Sequence, residues 1–219
     1  HSIESRGGHV FYAKDKNDAV NLIREICKQN EAKLIVKSKS ITSEEINLNH
    51  ALEKDNIEVV ETDLAEFILQ LSKEQPSHIV APAIHRSRES ISKLFKENFK
   101  TSNPLETGEQ LTEFASATLR QKFLNADIGI TGANLISAEE GTILLIESEG
   151  NIRLTTHLPA IHIAIAGIEK IIPSKKDFGI FIELLAASAT GQPLTSYTNI
   201  LEPPLDLPVL NFNNRTDTE

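Results

Sequence analysis

Apolar residues in the N-terminal half of the chain follow two alternating patterns. Short runs rich in β-branched residues, at 33–38, 57–62 and 78–83, predict β-strands. Between these runs the apolar residues recur at helical spacing, which keeps their side chains on one face of a helix. The predicted helices cover residues 15–29, 42–56, 63–73 and 87–99.

This alternation of helices and strands is typical of an α/β fold. A strand that is followed by a helix and then by another strand commonly forms a parallel pair with it. The strand runs are almost continuous in apolar residues, as in strands that are covered on both faces. We therefore predict a mostly parallel, wound sheet with flanking helices.

The C-terminal half of the chain predicts one departure from the parallel pattern. A helix at 111–126 leads into a strand at 127–134. The apolar runs 141–147 and 152–157 flank the polar turn 148–151, which predicts an added β-hairpin. The prediction is completed by a strand at 162–167, a helix at 177–191 and an edge strand at 208–212.

Composition narrows the classes of function. The formal net charge is -9, so we do not expect a nucleic-acid partner. No apolar run reaches the roughly 20 residues that span a bilayer, and residues 1–10 lack the apolar core of a signal peptide. We therefore expect a cytoplasmic protein without a membrane span.

A single cysteine, Cys27, limits the cofactors that the chain can hold. It shares the apolar face of its predicted helix with Leu22, Ile23 and Ile26, which indicates a buried thiol rather than a nucleophile. One cysteine cannot form an internal disulfide or ligate an iron–sulfur cluster. We therefore expect no cofactor in this chain.

Cationic residues follow two of the predicted strands. Lys37 and Lys39 come after the first strand, and His85, Arg86 and Arg88 come after the third. The carboxyl ends of parallel strands meet at one edge of a sheet, beside helix N-termini whose N–H groups attract anions. The pattern favours a small anionic ligand bound by Lys37, Lys39 and His85. The alternative is that these are solvated loop charges.

The strand at 127–134 ends in small and polar residues. Gly132 allows the backbone to approach a ligand closely, and Asn134 can donate and accept hydrogen bonds. We therefore regard Thr131, Gly132 and Asn134 as candidate ligand-binding residues. The segment matches neither the dinucleotide-binding motif nor the P-loop motif.

Two acids, Glu139 and Glu140, precede the apolar run at 141–147. A partly buried carboxylate at a strand entrance can act as a nucleophile or a general base. Alternatively, one acid caps or turns into the strand while the other faces water. Adjacent residues of an extended segment point in opposite directions, so at most one of them faces a given cleft.

Further candidates lie closer to the C-terminus. Arg153 can clamp a carboxylate with two hydrogen bonds, or pair with Glu147 across the predicted hairpin. His157 and His162 have no third ligand nearby, so no metal site is predicted. Thr190 and Gln192 lie in a polar run that either lines a cleft or solvates a loop.

Several long blocks of the sequence together resemble the LUD domain. More narrowly, they resemble the N-terminal part of the lactate-utilisation B-type iron–sulfur proteins. The blocks follow one another in the right order up to about Thr198, and residues 199–219 match poorly. We therefore expect a single LUD domain over residues 1–219. The matching blocks are IVKSKS at 35–40 and the segments 44–71, 76–85, 126–173 and 188–198.

This resemblance implies a fold like that of ribose-phosphate isomerases and CoA-transferases. It also implies a role in oxidising L-lactate to pyruvate, in a complex with two partner proteins. Full-length members carry iron–sulfur clusters in a cysteine-rich C-terminal domain, which is absent from this chain. In the CoA-transferase relatives a glutamate at a comparable strand entrance can be the nucleophile, and the pattern A-E-x-G assigns that position to Glu139.

Two main functional hypotheses follow. In the first, the chain is the LUD domain of an L-lactate-oxidising electron-transfer system and binds a small anionic ligand or partner subunits. In the second, it is a stand-alone enzyme that uses Glu139 on a phosphosugar or an acyl-CoA. A pure assembly scaffold is a third possibility. The first two hypotheses expect one shared pocket lined by Lys37, Lys39, Asn134, Glu139 and Arg153.

Overall fold

A computed structural model describes residues 1–77, 81–101 and 105–202 and shows two four-stranded sheets. The strands in these parts of the chain are β1 (Leu34–Lys37), β2 (Glu58–Glu61), β3 (Ile128–Gly132), β4 (Leu135–Ser137), β5 (Ile143–Glu147), β6 (Ile161–Ile165), β7 (Ile171–Ile172) and β8 (Tyr197–Leu201). The α-helices are α1 (Lys16–Gln29), α2 (Ile41–Glu45), α3 (Leu48–Lys54), α4 (Leu64–Ser72), α5 (Arg88–Phe99), α6 (Gly108–Asn125), α7 (Asn151–His157) and α8 (Phe178–Thr190).

The first sheet is parallel throughout, in the order β2-β1-β3-β6. β1, β2 and β3 lie within segments that the sequence predicts to be extended, and β6 overlaps the predicted strand at 162–167, so the predicted parallel α/β sheet with flanking helices is confirmed. The register aligns Lys37 at the end of β1 with Glu61 at the end of β2. The carboxyl ends of these two strands therefore bring opposite charges side by side.

Alternating side chains of the first sheet build a core on each face. Ile35 and Val59 pack with α1 and α3, including Cys27. Val36 and Val60 point to the opposite face, where they pack with aromatic side chains of α4, α5 and α6. Within the described ranges, no helix is long and apolar enough to cross a membrane.

Local sequence signals define the helix starts. The Asp15 side chain caps α1 by accepting hydrogen bonds from its first backbone N–H groups. Thr107 and Gln110 form a capping box at the start of α6. The predicted helix 42–56 is instead two helices, because Asn47 adopts a left-handed conformation between α2 and α3.

The second sheet has the order β7-β4-β5-β8 and mixes parallel and antiparallel pairs. β4 and β5 are antiparallel, with Ile136 opposite Ile143, so the hairpin forms between these two strands and not between the predicted 141–147 and 152–157. β8 pairs antiparallel with β5 along five residues, although the sequence predicts only a polar run and a tail there. The predicted edge strand at 208–212 lies outside the described residues.

The predicted strand at 152–157 is wrong, because these residues form the helix α7. Gly150 takes a left-handed conformation and redirects the chain. The Glu147 carboxylate then accepts a hydrogen bond from the Ile152 N–H (2.6 Å), which satisfies a backbone donor of the first turn. Thr155 donates to the Asn151 carbonyl, so its hydroxyl is satisfied within the helix.

The predicted strand at 78–83 can be compared with the structure only in part. Residues 78–80 lie outside the described part of the chain, and residues 81–83 form bends and turns rather than a strand. His85 therefore lies in a turn, and Arg88 begins α5.

Candidate functional site

The end of β1 places Lys37 inside the protein. Its side chain is 1% exposed, and its Nζ lies 2.8 Å from Glu61 Oε1. The same Nζ donates to Ser43 Oγ on α2 at 3.1 Å. Because a buried ammonium needs a counter-charge and hydrogen-bond acceptors, these contacts explain how Lys37 is accommodated.

Glu61 has a different environment at each of its two oxygens. Oε1 forms the ion pair with Lys37 and accepts a hydrogen bond from Asn49 Nδ2 on α3 (2.6 Å). Oε2 is buried and has no hydrogen-bond partner among the residues that the structure describes. One oxygen of this carboxylate is therefore stabilised by neighbouring side chains, whereas the other makes no hydrogen bond within the described residues.

Asp63, immediately before α4, connects three segments of the chain. Its Oδ2 accepts hydrogen bonds from the Lys39 N–H (2.8 Å) and from Asn151 Nδ2 at the start of α7 (3.0 Å). Burial raises the pKa of Asp63, although the bond from the Lys39 backbone opposes that change. Asp63 thus holds the segment after β1 against α7.

Lys39 pairs with an acid on α4. Its Nζ lies 3.3 Å from Glu66 Oε1, and its side chain is 25% exposed while that of Glu66 is 9% exposed. Burial raises the pKa of Glu66 against the opposing charge of Lys39. We refer to the five residues Lys37, Lys39, Glu61, Asp63 and Glu66 as the strand-end cluster.

The two lysines of this cluster are among the predicted ligand-binding residues, whereas its three acids are not. A signal was present, since the segment VVETDLAE places all three directly at or after the second predicted strand. A parallel register that ends both strands together would have paired Lys37 with Glu61.

β3 contributes two of the predicted residues. Thr131 is fully buried, and its Oγ1 shares a hydrogen bond with His162 Nε2 on β6 (2.8 Å). Burial lowers the pKa of His162 to about 4. Gly132 lies against Ser40, because a Cβ atom at this glycine would be 2.8 Å from Ser40 Oγ. Gly132 therefore lets β3 lie close to Ser40. Ser40 precedes helix α2, whose Ser43 accepts a hydrogen bond from Lys37.

Asn134 braces the second sheet. Its backbone N–H donates to the Leu144 carbonyl (3.0 Å), and its side-chain oxygen accepts from the Ile146 N–H (2.8 Å). These bonds join the start of β4 to β5. The second bond occupies the side-chain oxygen of Asn134, a residue that the sequence predicts to bind a ligand.

Glu139 is exposed, and its backbone makes hydrogen bonds within the protein. Its N–H donates to the Pro173 carbonyl, and its carbonyl accepts from Ser2 Oγ. The neighbouring Glu140 accepts from Ser174 Oγ (3.0 Å) and from the Lys175 N–H (3.1 Å). Glu140 thus fixes the segment before α8.

The remaining basic candidates have local acidic partners. His85 bridges Ser77 (2.8 Å) and Glu74 (3.0 Å) beyond the end of α4. Arg153 lies on α7, with Nε 3.8 Å from Glu147 and its guanidinium 5.0 Å from the centre of the Tyr197 ring. The predicted pairing of Arg153 with Glu147 is confirmed, but it runs from helix to strand.

The two polar candidates near the C-terminus are exposed. Thr190 donates to the Ala186 carbonyl in the last turn of α8 (3.2 Å). Gln192 follows Gly191, which ends α8 in a left-handed conformation. The structure thus brings Lys37 and Lys39 together at the strand ends, with Gly132 nearby through Ser40. The contacts described above for Asn134, Glu139, Arg153 and Thr190 lie elsewhere, as does Gln192.

The chain does not provide the ligands of an iron–sulfur cluster. Such clusters are usually held by four cysteine thiolates, and the sequence contains only Cys27. Cys27 is fully buried, as predicted, and burial raises its pKa to about 11. Among the described residues, no group of three or more His, Cys, Asp or Glu side chains could hold a metal ion.

Three similar proteins of known name share that name. The chain is 47% identical to lactate utilization protein B of Bacillus pumilus over 203 residues, which are 92% of this chain and 43% of that protein. It is 48% identical over 204 residues to the proteins of the same name from Bacillus licheniformis and Bacillus subtilis, covering 93% of this chain and 43% and 42% of those proteins. The chain therefore spans less than half the length of these relatives.

No solved structure shows a significant match. The model of the LUD domain family matches residues 1–206. Together with the relatives, this match shows that the chain belongs to the LUD domain family.

Proposed function

We propose that the chain is the LUD domain of a cytoplasmic system that oxidises L-lactate to pyruvate. In this proposal it binds a small anionic ligand or partner subunits, and electron transfer takes place elsewhere. The observation that carries the proposal is 47–48% identity, over more than nine-tenths of the chain, to proteins named for lactate utilization. Iron–sulfur clusters are expected in the part of the full-length proteins that lies outside the matched region.

The charge of the strand-end cluster supports a small, singly charged ligand. Lys39 is the more exposed of its two lysines, so it is the cation that a ligand carboxylate can reach. Three acids lie in the same cluster, and their repulsion increases with the charge of the ligand. A monocarboxylate such as a 2-hydroxy acid is therefore favoured over a phosphate ester.

A genetic experiment tests the role in lactate metabolism. We expect deletion of the gene to abolish growth on L-lactate and to leave growth on pyruvate unchanged. Complementation with the wild-type gene should restore growth, and Lys39→Ala should restore it less well than the exposed control Lys93→Ala. Undiminished growth of the deletion strain on L-lactate would contradict the proposal. Full complementation by Lys39→Ala would reject the ligand site alone.

The stand-alone enzyme remains the second proposal. It depends on Glu139, whose exposed side chain lacks the burial that would strengthen its electrostatic interactions. A thermal-shift screen separates the two proposals, because ligands stabilise the folded state that binds them. A shift with 2-hydroxy acids supports the lactate system, whereas a shift only with phosphosugars or CoA esters supports the enzyme. The scaffold hypothesis expects neither.

A further inference from the structure

Two buried carboxylate oxygens in the strand-end cluster make no hydrogen bond within the described ranges of the chain. They are Oε2 of Glu61 and Oε1 of Glu66. Both residues are more than nine-tenths buried. An anionic oxygen that leaves water without gaining a donor is destabilised by several kcal/mol. The cluster is therefore not satisfied when all of its acids are ionised.

The charges of the cluster do not balance either. Glu61, Asp63 and Glu66 contribute three negative charges when ionised, against the two positive charges of Lys37 and Lys39. The charged groups that act on these acids from neighbouring elements include Glu44 on α2 and Glu149 before α7, and both add to the excess of negative charge. One bound proton would make the five-residue cluster neutral.

Hydrogen bonding indicates which acid holds that proton. Glu61 has the 2.8 Å ion pair with Lys37 and a hydrogen bond from Asn49, and Asp63 accepts from the Lys39 N–H and from Asn151. Donors and cations at such distances favour the ionised form of a carboxylate. Glu66 has the longer, 3.3 Å ion pair between Lys39 Nζ and its Oε1, and that oxygen makes no hydrogen bond within the described part of the chain. Glu66 is therefore the acid for which ionisation is least favourable.

We propose that the strand-end cluster is a proton-binding site, in which Glu66 carries a carboxylic-acid proton. The proton is held over a pH range in which an ordinary glutamate has lost it. The raised pKa of Glu66, caused mainly by burial, agrees with this assignment. The site lies at the carboxyl edge of a parallel sheet, where a proton is available for general acid catalysis. The use of the proton in catalysis depends on the proposed function, whereas the proton-binding site itself does not.

The pH dependence of stability tests the assignment. A group whose pKa is raised on folding adds stability below its unfolded pKa, and this contribution is lost as the pH rises through the folded pKa. Each pH unit over which the folded state holds one extra proton changes the unfolding equilibrium about tenfold. Glu66→Gln keeps the shape and the neutral charge of the protonated acid. We therefore expect the wild type to lose stability relative to Glu66→Gln as the pH rises above about 4.5.

Matched variants make the result specific. Glu97→Gln, at an exposed position of α5, should follow the pH profile of the wild type. Glu61→Gln should weaken the proton-linked component, because it removes one of the three negative charges that the bound proton offsets. A pH-independent difference between the wild type and Glu66→Gln would overturn the proposal.

Infrared spectroscopy of the wild type provides a readout that does not depend on the folding of the variants. With isotope-labelled glutamate, a protonated carboxyl group gives a carbonyl stretch distinct from that of a carboxylate. We expect this band to persist at a pH where exposed glutamates are ionised, and to be absent from Glu66→Gln. Failure to detect it in the folded wild type would reject the proton-binding site, whatever the outcome for lactate metabolism.

Discussion

At the scale of single residues, position along a strand is predictable but environment is not. Lys37 was predicted to follow a strand as a ligand-binding or solvated cation, and it lies instead at the end of β1 with 1% of its side chain exposed. Its partner Glu61 comes from the neighbouring strand, 24 residues further along in the parallel register. The pairing therefore depends on the assembly of the sheet and not on the local sequence.

The ion pair between Lys37 and Glu61 leads to a stability prediction. Lys37→Met should destabilise the protein by about 3–5 kcal/mol, because it leaves a buried carboxylate without its counter-charge. The double variant Lys37→Met/Glu61→Leu should recover much of that loss, since an apolar pair needs no compensating charge. Urea unfolding measures both, with Lys93→Met as the exposed control. A loss below about 1 kcal/mol for Lys37→Met would show that water reaches the pair.

At the scale of secondary-structure elements, helix α7 shows how tertiary contacts override a local pattern. Alternating residues at 152–157 predicted a strand, but the segment forms a helix that packs on β3. The close approach depends on Gly129 of β3, since a Cβ atom there would lie 1.9 Å from the Thr155 carbonyl oxygen. The helix and the glycine are therefore structurally linked although they are distant in sequence.

Two glycine substitutions should have opposite effects. Gly129→Ala should destabilise the protein by at least about 1–3 kcal/mol, because the new methyl group overlaps the backbone of α7. Gly179→Ala, in the first turn of α8, should stabilise it by about 0.5–1 kcal/mol, because a methyl group there meets no neighbouring atom. Thermal and urea unfolding can compare the two. Equal effects would mean that α7 and β3 are not packed this closely.

Helix α8 is apolar on both its inner and outer faces. Phe178 is buried in a small core with Leu135 and Leu144, whereas Ile180 is 61% exposed. We expect Phe178→Ala to cost about 3–5 kcal/mol and Ile180→Ala to stay within about 0.5 kcal/mol. The comparison is made by chemical denaturation. A large cost for Ile180→Ala would indicate that this face is covered in solution.

At the scale of the whole molecule, buried titratable groups act in opposite directions on acid stability. Burial raises the pKa values of Asp63, Glu66 and Glu149, so these groups favour the folded state as the pH falls. His162 acts against them, because burial lowers its pKa to about 4. The net pH profile of stability is the sum of these opposing contributions.

Removing the histidine should isolate its contribution. The stability that neutral His162 provides is present above its unfolded pKa of about 6.5 and is lost as the pH falls toward 4. His162→Gln keeps a hydrogen-bonding group for Thr131 but does not titrate. This variant should therefore lose less stability than the wild type between pH 6.5 and pH 4, by an amount on the order of 3 kcal/mol. Parallel profiles would contradict the burial of a neutral imidazole.

The sequence by itself determined the strands of the parallel sheet, most of its helices and the family, because these depend on the spacing of apolar residues and on long blocks of local sequence. Only the tertiary structure decided that 152–157 is a helix, that β8 completes the second sheet and that Lys37 and Lys39 pair with Glu61 and Glu66. Strand register and burial bring together residues that are far apart in the chain, and no local pattern specifies those distances.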